Sequence, residues 1–282
     1  MVQTDLQVIF WGVRGSIAVP GPDTAIFGGN TSCVQIQIGK RLFIMDSGTG
    51  IHKLGQKLLK QPSGSVKGDI FITHTHWDHI QGFPLFGPAF MTGNHFTLYG
   101  QNKMDLTFSD LMKGQMMYEH FPVSLDEMGA DINFHELSGV ETLDLGDGIE
   151  LRTILLNHPG GAVGYRLDHA GRSCCYLSDN EHAAEFEQDL KLFVDGADLV
   201  IYDANFTDEE YLGNVGYSQK KGWGHSTWQE GIKLVIAARA KKLVLFHHAN
   251  FRNDRDMEIV EQAAQAVYPN CVAAREGMVI NL

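Results

Sequence analysis

The sequence predicts an α/β protein in which two β-sheets pack face to face with helices on the outside. Two observations point there. Short β-branched or apolar runs, punctuated by Gly, Asp and Asn, recur along the whole 282 residues. They fall into two strand-rich sections, roughly 1–144 and 148–282, each with helical periodicity following its strands. No linker or low-complexity tract divides the chain, so residues 1–282 read as one domain.

In order, the strands of the first section are Leu6 to Phe10, Cys33 to Ile38, Arg41 to Met45, Asp69 to Thr73 and Phe96 to Tyr99, then Asn133 to Leu137. The second section offers Glu150 to Leu156, Ala162 to Leu167, Ser173 to Leu177, Leu199 to Tyr202 and Lys242 to Phe246. Many of these runs end in Asp, His or Gly, as strand-to-loop transitions do. Apolar spacing near 3.6 predicts helices over Ile51 to Lys60, Glu181 to Val194, Trp228 to Ala240 and Asp254 to Val267. Thr227 stands three residues before Glu230, a capping-box pattern that starts the third of these. The segment 101–130 breaks the rhythm with Met104, Met112, Met116, Met117, Tyr118 and Phe121; it reads as a lid, a substrate wall or a dimer contact.

Composition excludes several classes. Apolar residues at 44% and charged residues at 20% supply a substantial core, so disorder is not expected. A net charge of −12 gives no basic footprint for long nucleic acid. Cys33, Cys174, Cys175 and Cys271 show no Cys-x-x-Cys spacing, which argues against a thiolate zinc site; Cys174 and Cys175 read as small buried hydrophobes on a strand. The opening Met1-Val2-Gln3-Thr4-Asp5 lacks a basic leader, and no run is long enough to span a bilayer, so a cytoplasmic protein is expected.

The main chemical signal is Phe71-Ile72-Thr73-His74-Thr75-His76-Trp77-Asp78-His79. An apolar strand is expected to deliver His74 and His76 two residues apart on one face, and the chain then turns to present Asp78 and His79. Imidazole and carboxylate suit zinc, with manganese or iron as alternatives. Four ligands in one turn do not complete two metal shells. His158 before Pro159-Gly160-Gly161, Asp179 after the strand ending at Leu177, and His247 after Phe246 are ligand-type residues at carboxyl ends of strands, where α/β sites gather.

This pattern resembles the metallo-β-lactamase superfamily, whose hallmark is His-x-His-x-Asp-His. Within it the chain is similar to the ribonuclease Z and cyclic-nucleotide phosphodiesterase side. Gly28-Gly29-Asn30-Thr31-Ser32, Asp46-Ser47-Gly48-Thr49-Gly50, Asn157-His158-Pro159-Gly160-Gly161, Ser178-Asp179 and Gly224-His225-Ser226-Thr227 carry that likeness, which spans nearly the whole chain. The resemblance implies a four-layer αββα sandwich with the site along one edge. It implies that His74, His76 and His158 hold one divalent metal, that Asp78, His79 and His247 hold another, and that Asp179 bridges them. His248, the neighbour of His247, is expected to face away.

Two such ions about 3.5–4 Å apart share a hydroxide at neutral pH, and a cationic centre favours an anionic substrate. His225, in a glycine-rich turn, is the candidate general acid, with Asp203 as its orienting carboxylate. Ribonuclease Z usually places Glu where Asp203 stands, one methylene longer. Lys220, Lys221 and Arg14 are weaker candidates for phosphate contact. Ribonuclease Z grips transfer RNA with a long arm between the third histidine and the bridging aspartate; here only 20 residues separate His158 from Asp179. The expected function is therefore hydrolysis of a small anionic phosphodiester, with a cyclic nucleotide first. A thioester hydrolase like glyoxalase II and an RNA-processing endonuclease are the alternatives. A redox di-iron protein is disfavoured because His76 is intact, and a non-catalytic metal module because the ligand set is full. The resemblance to ribonuclease Z also implies a homodimer.

Overall fold

The computed structural model describes residues 6–60, 64–214, 216 and 218–282. The opening pentapeptide read as lacking a leader lies outside the described residues.

The chain runs β1 (Leu6–Gly12), β2 (Cys33–Ile38), β3 (Arg41–Met45), α1 (Gly50–Leu59), β4 (Lys67–Phe71), α2 (Trp77–Ile80), β5 (His95–Gln101), α3 (Phe108–Gly114), β6 (Asp131–Leu137) and β7 (Thr142–Asp144). It continues through β8 (Ile149–Leu156), β9 (Ala162–His169), β10 (Arg172–Leu177), α4 (Ala184–Phe193), β11 (Leu199–Asp203), α5 (Asp208–Leu212), α6 (Trp228–Ala237), β12 (Leu243–Phe246), α7 (Asp254–Val267), β13 (Cys271–Ala273) and β14 (Val279–Asn281). Two seven-stranded sheets result, ordered β14-β1-β2-β3-β4-β5-β6 and β13-β12-β11-β10-β9-β8-β7. Each is half antiparallel and half parallel: β1, β2 and β3 alternate before β4 to β6 run parallel, and β8, β9 and β10 alternate before β11 to β13 run parallel.

Three apolar layers hold the sandwich. Phe10, Phe43, Phe71, Tyr165, Tyr176 and Phe246 pack between the sheets. Ile51, Leu54 and Leu58 of α1 and Phe108 and Met112 of α3 cover the outer face of the first sheet. Leu190 of α4, Ile232 and Val235 of α6, and Met257 and Val260 of α7 cover the second. The period of two along β10 explains its cysteines: Cys174 faces the inter-sheet layer and Cys175 the outer one. All four cysteines are buried and unpaired. The expected αββα layering is present.

Several expectations are corrected. The division at residue 144 fails at both ends. The terminal strand β14 returns to pair with β1, and β7 joins the second sheet through β8. The short β7, β13 and β14 carry too few residues to show a period. The strand placed over Asp69 to Thr73 runs instead from Lys67 to Phe71, because Thr73 N bonds the Asp46 carboxylate and Thr73 O accepts from Val163 N of the opposite sheet. The helix expected from Glu181 begins at Ala184, since Glu181 N is taken by Asn157 O. At α6, Thr227 does accept from Glu230 N, but the Glu230 carboxylate binds Lys233 at 2.6 Å rather than closing a box. The segment 101–130 is largely a cap: Phe108, Met112, Met116, Leu125 and Met128 are core residues, while Met104, Met117 and Tyr118 are exposed.

Candidate metal centre

Every strand that leads into the site ends at one edge of the sandwich, and the chain turns sharply there. Asp46 after β3, Asp179 after β10 and His247 after β12 all adopt φ near +58°, left-handed backbone that non-glycine residues rarely hold. Such strain persists where surrounding structure fixes it, and it marks sites worth chemical scrutiny. His158 follows β8, and Asp203 is the last residue of β11. Residues 73–76 form a loop rather than a strand. His76 caps α2, on whose single turn Asp78 and His79 sit side by side. His74 and His76 therefore meet through loop geometry, not through the alternation of a strand.

Two groups of ligand atoms converge. His76 Nδ1 lies 2.8 Å from His74 Nε2 and 3.1 Å from His158 Nε2. Alongside, Asp78 Oδ2 lies 3.1 Å from His247 Nε2 and 3.3 Å from His79 Nε2. Asp179 faces both groups. Its Oδ1 is 3.1 Å from His79 Nε2 and from His247 Nε2, and its Oδ2 is 3.7 Å from His74 Nε2 and 3.8 Å from His158 Nε2. The atoms within each group lie within 4.8 Å of one another, which a single ion can gather.

The surroundings orient these rings. Asp46, fully buried, accepts from Thr73 N, Thr73 Oγ1, His79 Nδ1 at 2.8 Å and Tyr176 OH at 2.9 Å. That fixes the His79 ring with Nε2 toward the cluster. His158 Nδ1 donates to Gly224 O at 2.8 Å, which turns its Nε2 inward in the same way. Ser16 N donates to Asp78 Oδ2 at 2.7 Å, and Gly15 passes so close to the His247 ring that a Cβ would lie 2.4 Å from it. Asp203 receives Asn180 N and Asn205 N and holds His225 Nδ1 at 2.8 Å.

Electrostatics fit a cation. Burial opposes charge on His79, yet Asp179, Asp78 and Asp46 hold its pKa well above the usual imidazole range. Burial would raise Asp78, but His79 and His247 hold its carboxyl well below the ordinary value. Burial also lowers His74, helped by the neighbouring His79. His79 Nε2 is buried without a hydrogen-bond partner. Lone pairs of three imidazoles crowd together in the first group, and two carboxylates face two imidazoles in the second. Nitrogen and oxygen donors in this arrangement suit zinc or a similar divalent ion.

The structure brings all seven sequence-predicted ligand residues together, and Asp203 with His225 joins them. A further grouping of Asp179, Asp203, His225 and His247 is close enough for a cation, but His225 Nδ1 is already bonded to Asp203. His248 is buried with Nε2 on Ala274 O, away from the cluster. Arg14 is not a phosphate contact. It is fully buried and donates to the carbonyls of Gly28, Ala249 and Arg252, a structural clamp. Lys220 stacks on Trp223 at 4.1 Å, and neither it nor Lys221 lines the cleft. That cleft, of about 450 Å³, is bounded by Ser16, Thr75, His76, Trp77, Asp78, Asp179 and His225. A groove along Trp77, Leu85, Leu106, Leu111 and Phe121 continues from it, which places part of the 101–130 segment as a wall beside the site. Asp46 was missed as a site residue, although it ends a strand as the other site residues do.

Comparison with known proteins agrees with this geometry. A family model described as the beta-lactamase superfamily domain matches residues 41–248. The chain is 23% identical to ribonuclease Z of Bacillus subtilis (strain 168) over 257 residues, covering 76% of this chain and 80% of that protein. Its fold superimposes on the human short-form tRNase Z with a TM-score of 0.68 at 22% identity, covering 97% of this chain and 98% of that one. It also superimposes on a diphosphatase of the PhnP family with a TM-score of 0.67 at 18% identity, covering 98% of each chain. With a matched model over well more than half its length, the chain belongs to the beta-lactamase superfamily as a metallo-β-lactamase-fold, metal-dependent hydrolase similar to ribonuclease Z.

Proposed function

We propose that this protein is a binuclear phosphodiesterase acting on a small anionic phosphodiester, a cyclic nucleotide first among them. The observation that carries the reading is Asp179, which offers one oxygen to each of two adjoining groups of donors beneath an open cleft. His74, His76 and His158 would hold one divalent ion, Asp78, His79 and His247 the other, and Asp179 both. Zinc is favoured over manganese or iron by the donor set. Such ions supply Lewis acidity, acidifying water and drawing charge from a phosphoryl oxygen. They outweigh the ligand carboxylates, so the loaded site attracts an anion.

His225 completes the chemistry. Burial opposes its charge, but the carboxylate of Asp203 at 2.8 Å, then Asp179 and Asp78, push its pKa up to about 9. Asp203 binds Nδ1, which leaves Nε2 as the proton-bearing atom at the cleft wall. A protonated imidazole there gives its proton to a departing alkoxide. We expect His225→Ala to keep turnover of a p-nitrophenyl diester within about tenfold while losing on the order of 10²–10⁴ in turnover of an alkyl diester. Parallel loss on both substrates would remove the acid role from His225.

The span between His158 and Asp179 supports a small substrate. It is filled by a short turn and the β9–β10 hairpin, which closes over Ala170 and Gly171. It has no arm, and the chain carries a net charge of −12. A second reading, an RNA-processing endonuclease, is favoured by the similarity to ribonuclease Z; the same two features weigh against it. No helix among the described residues is long and apolar enough to cross a membrane. Four unpaired buried cysteines agree with a reducing, cytoplasmic setting. Exposed Leu106, Met117 and Tyr118 supply apolar surface for a homodimer.

A further inference from the structure

We infer that Glu181 is a positioning residue: its carboxylate locks the glycine-rich turn at 222–224 against the metal cluster and thereby sets both His158 and His225. The inference rests on the His225 role above for its kinetic consequence, and on geometry alone for the positioning itself.

Glu181 stands two residues beyond Asp179 and is buried. Its two oxygens accept from Gly222 N at 2.8 and 3.0 Å, from Gly224 N at 2.8 Å and from Tyr211 OH at 2.6 Å. A carboxylate so filled by donors of its own chain has no need of a ligand. Burial would raise its pKa, but these amides and the phenol outweigh it and hold the carboxyl below its usual value. Charged acceptors make the stronger hydrogen bonds, so this is a firm anchor.

The anchored peptide reaches both catalytic neighbours. The N–H of Gly224 is on Glu181, while its carbonyl takes His158 Nδ1 at 2.8 Å, and the next residue is His225. The backbone of Glu181 closes the circuit. Its N–H donates to Asn157 O at 2.8 Å, and its carbonyl accepts Asn157 Nδ2 at 3.0 Å. His158 is thus gripped from residue 157 on one side and residue 224 on the other, by the same glutamate. The turn requires such an anchor. Gly222 and Gly224 both hold φ near +85°, and a Cβ on Gly224 would lie 2.4 Å from His158 Nδ1. Side chains are therefore barred from the place where the backbone passes the ring, and glycine brings the flexibility that Glu181 removes.

The test compares Glu181→Ala, Glu181→Gln, His225→Ala and the Glu181→Ala/His225→Ala double variant in zinc-loaded protein. Amide hydrogen exchange is followed in the peptide spanning 218–226, and turnover is followed on aryl and alkyl phosphodiesters. In Glu181→Ala, exchange at 222–226 should rise by roughly tenfold or more, the factor that losing one charged hydrogen bond corresponds to, while α7 keeps its protection. Alkyl-ester turnover should fall more than aryl-ester turnover, and in the His225→Ala background Glu181→Ala should slow the alkyl ester only by the smaller factor it costs the aryl ester, the share that passes through His158. Glu181→Gln, which keeps an acceptor, should recover part of both. Unchanged exchange at 222–226 in both Glu181 variants would overturn the proposal, as would an alkyl-ester loss that carries over undiminished into the His225→Ala background. If His225→Ala by itself spares the alkyl ester, the acid role falls, and the exchange result still decides the positioning of the turn.

Discussion

Asp179→Asn is expected to reduce turnover by on the order of 10³-fold or more, at the upper end of what single electrostatic groups at active sites contribute. Its metal content should drop from two equivalents to one or fewer. Asparagine is the informative substitution because residue 179 holds φ near +58°, which Asn tolerates and Ala does not. Fold and backbone should therefore survive. What is lost is one anionic oxygen. In the native chain Oδ1 serves His79 and His247 while Oδ2 faces His74 and His158. An amide keeps one acceptor and replaces the other with a donor, so it serves only one of the two groups. Ser178 Oγ, which donates to Oδ1 at 2.7 Å, favours retention of the oxygen on that side. The remaining ion should accordingly sit with Asp78, His79 and His247. Two tightly held equivalents with near-native turnover would remove Asp179 from the bridging role.

Asp46→Asn should cost about 3–5 kcal/mol of folding stability, as breaking a buried charged pair does. At about 2–4 °C per kcal/mol for chains approaching this size, that is a fall in melting temperature of roughly 10 °C. The residue never reaches solvent, and its carboxylate receives Thr73, His79 and Tyr176. Tyr176 lies on β10 of the opposite sheet, so Asp46 ties the two sheets together directly beneath the cluster. The amide must point a donor at one of these partners. His79 then loses the bond that orients it, and metal affinity should fall by about 10–100-fold. Chemical denaturation and competition with a chromophoric chelator read the two effects separately. A change under about 1 kcal/mol would mean that the buried bonds can be replaced.

The legible parts of this protein are those where a period or a cluster outweighs local noise. β2 and the start of β8 alternate, β3 and β10 are continuous apolar runs buried on both faces, and Asp254 to Val267 shows its helix end to end. The block from His74 to His79 was readable because four ligand-type residues in six positions leave little room for a structural explanation. His158, Asp179 and His247 were readable because each follows a strand. What stayed hidden was set by tertiary contacts. Thr73 left its strand to bond Asp46 and Val163, and β14 was too short to announce its return to β1. Arg14 looked available for phosphate, but three carbonyls bury it. Asp46 was hidden by its neighbours in the sequence, since its partners come from β10, the 73–76 loop and α2.

The central claim is best tested by turnover of the zinc-loaded protein on a panel, beside an Asp78→Ala control. The panel holds 3′,5′- and 2′,3′-cyclic nucleotides, bis-p-nitrophenyl phosphate, a precursor transfer RNA and a glutathione thioester. The account predicts hydrolysis of a cyclic nucleotide that is abolished in the control. Turnover confined to the thioester or to the precursor RNA would contradict it.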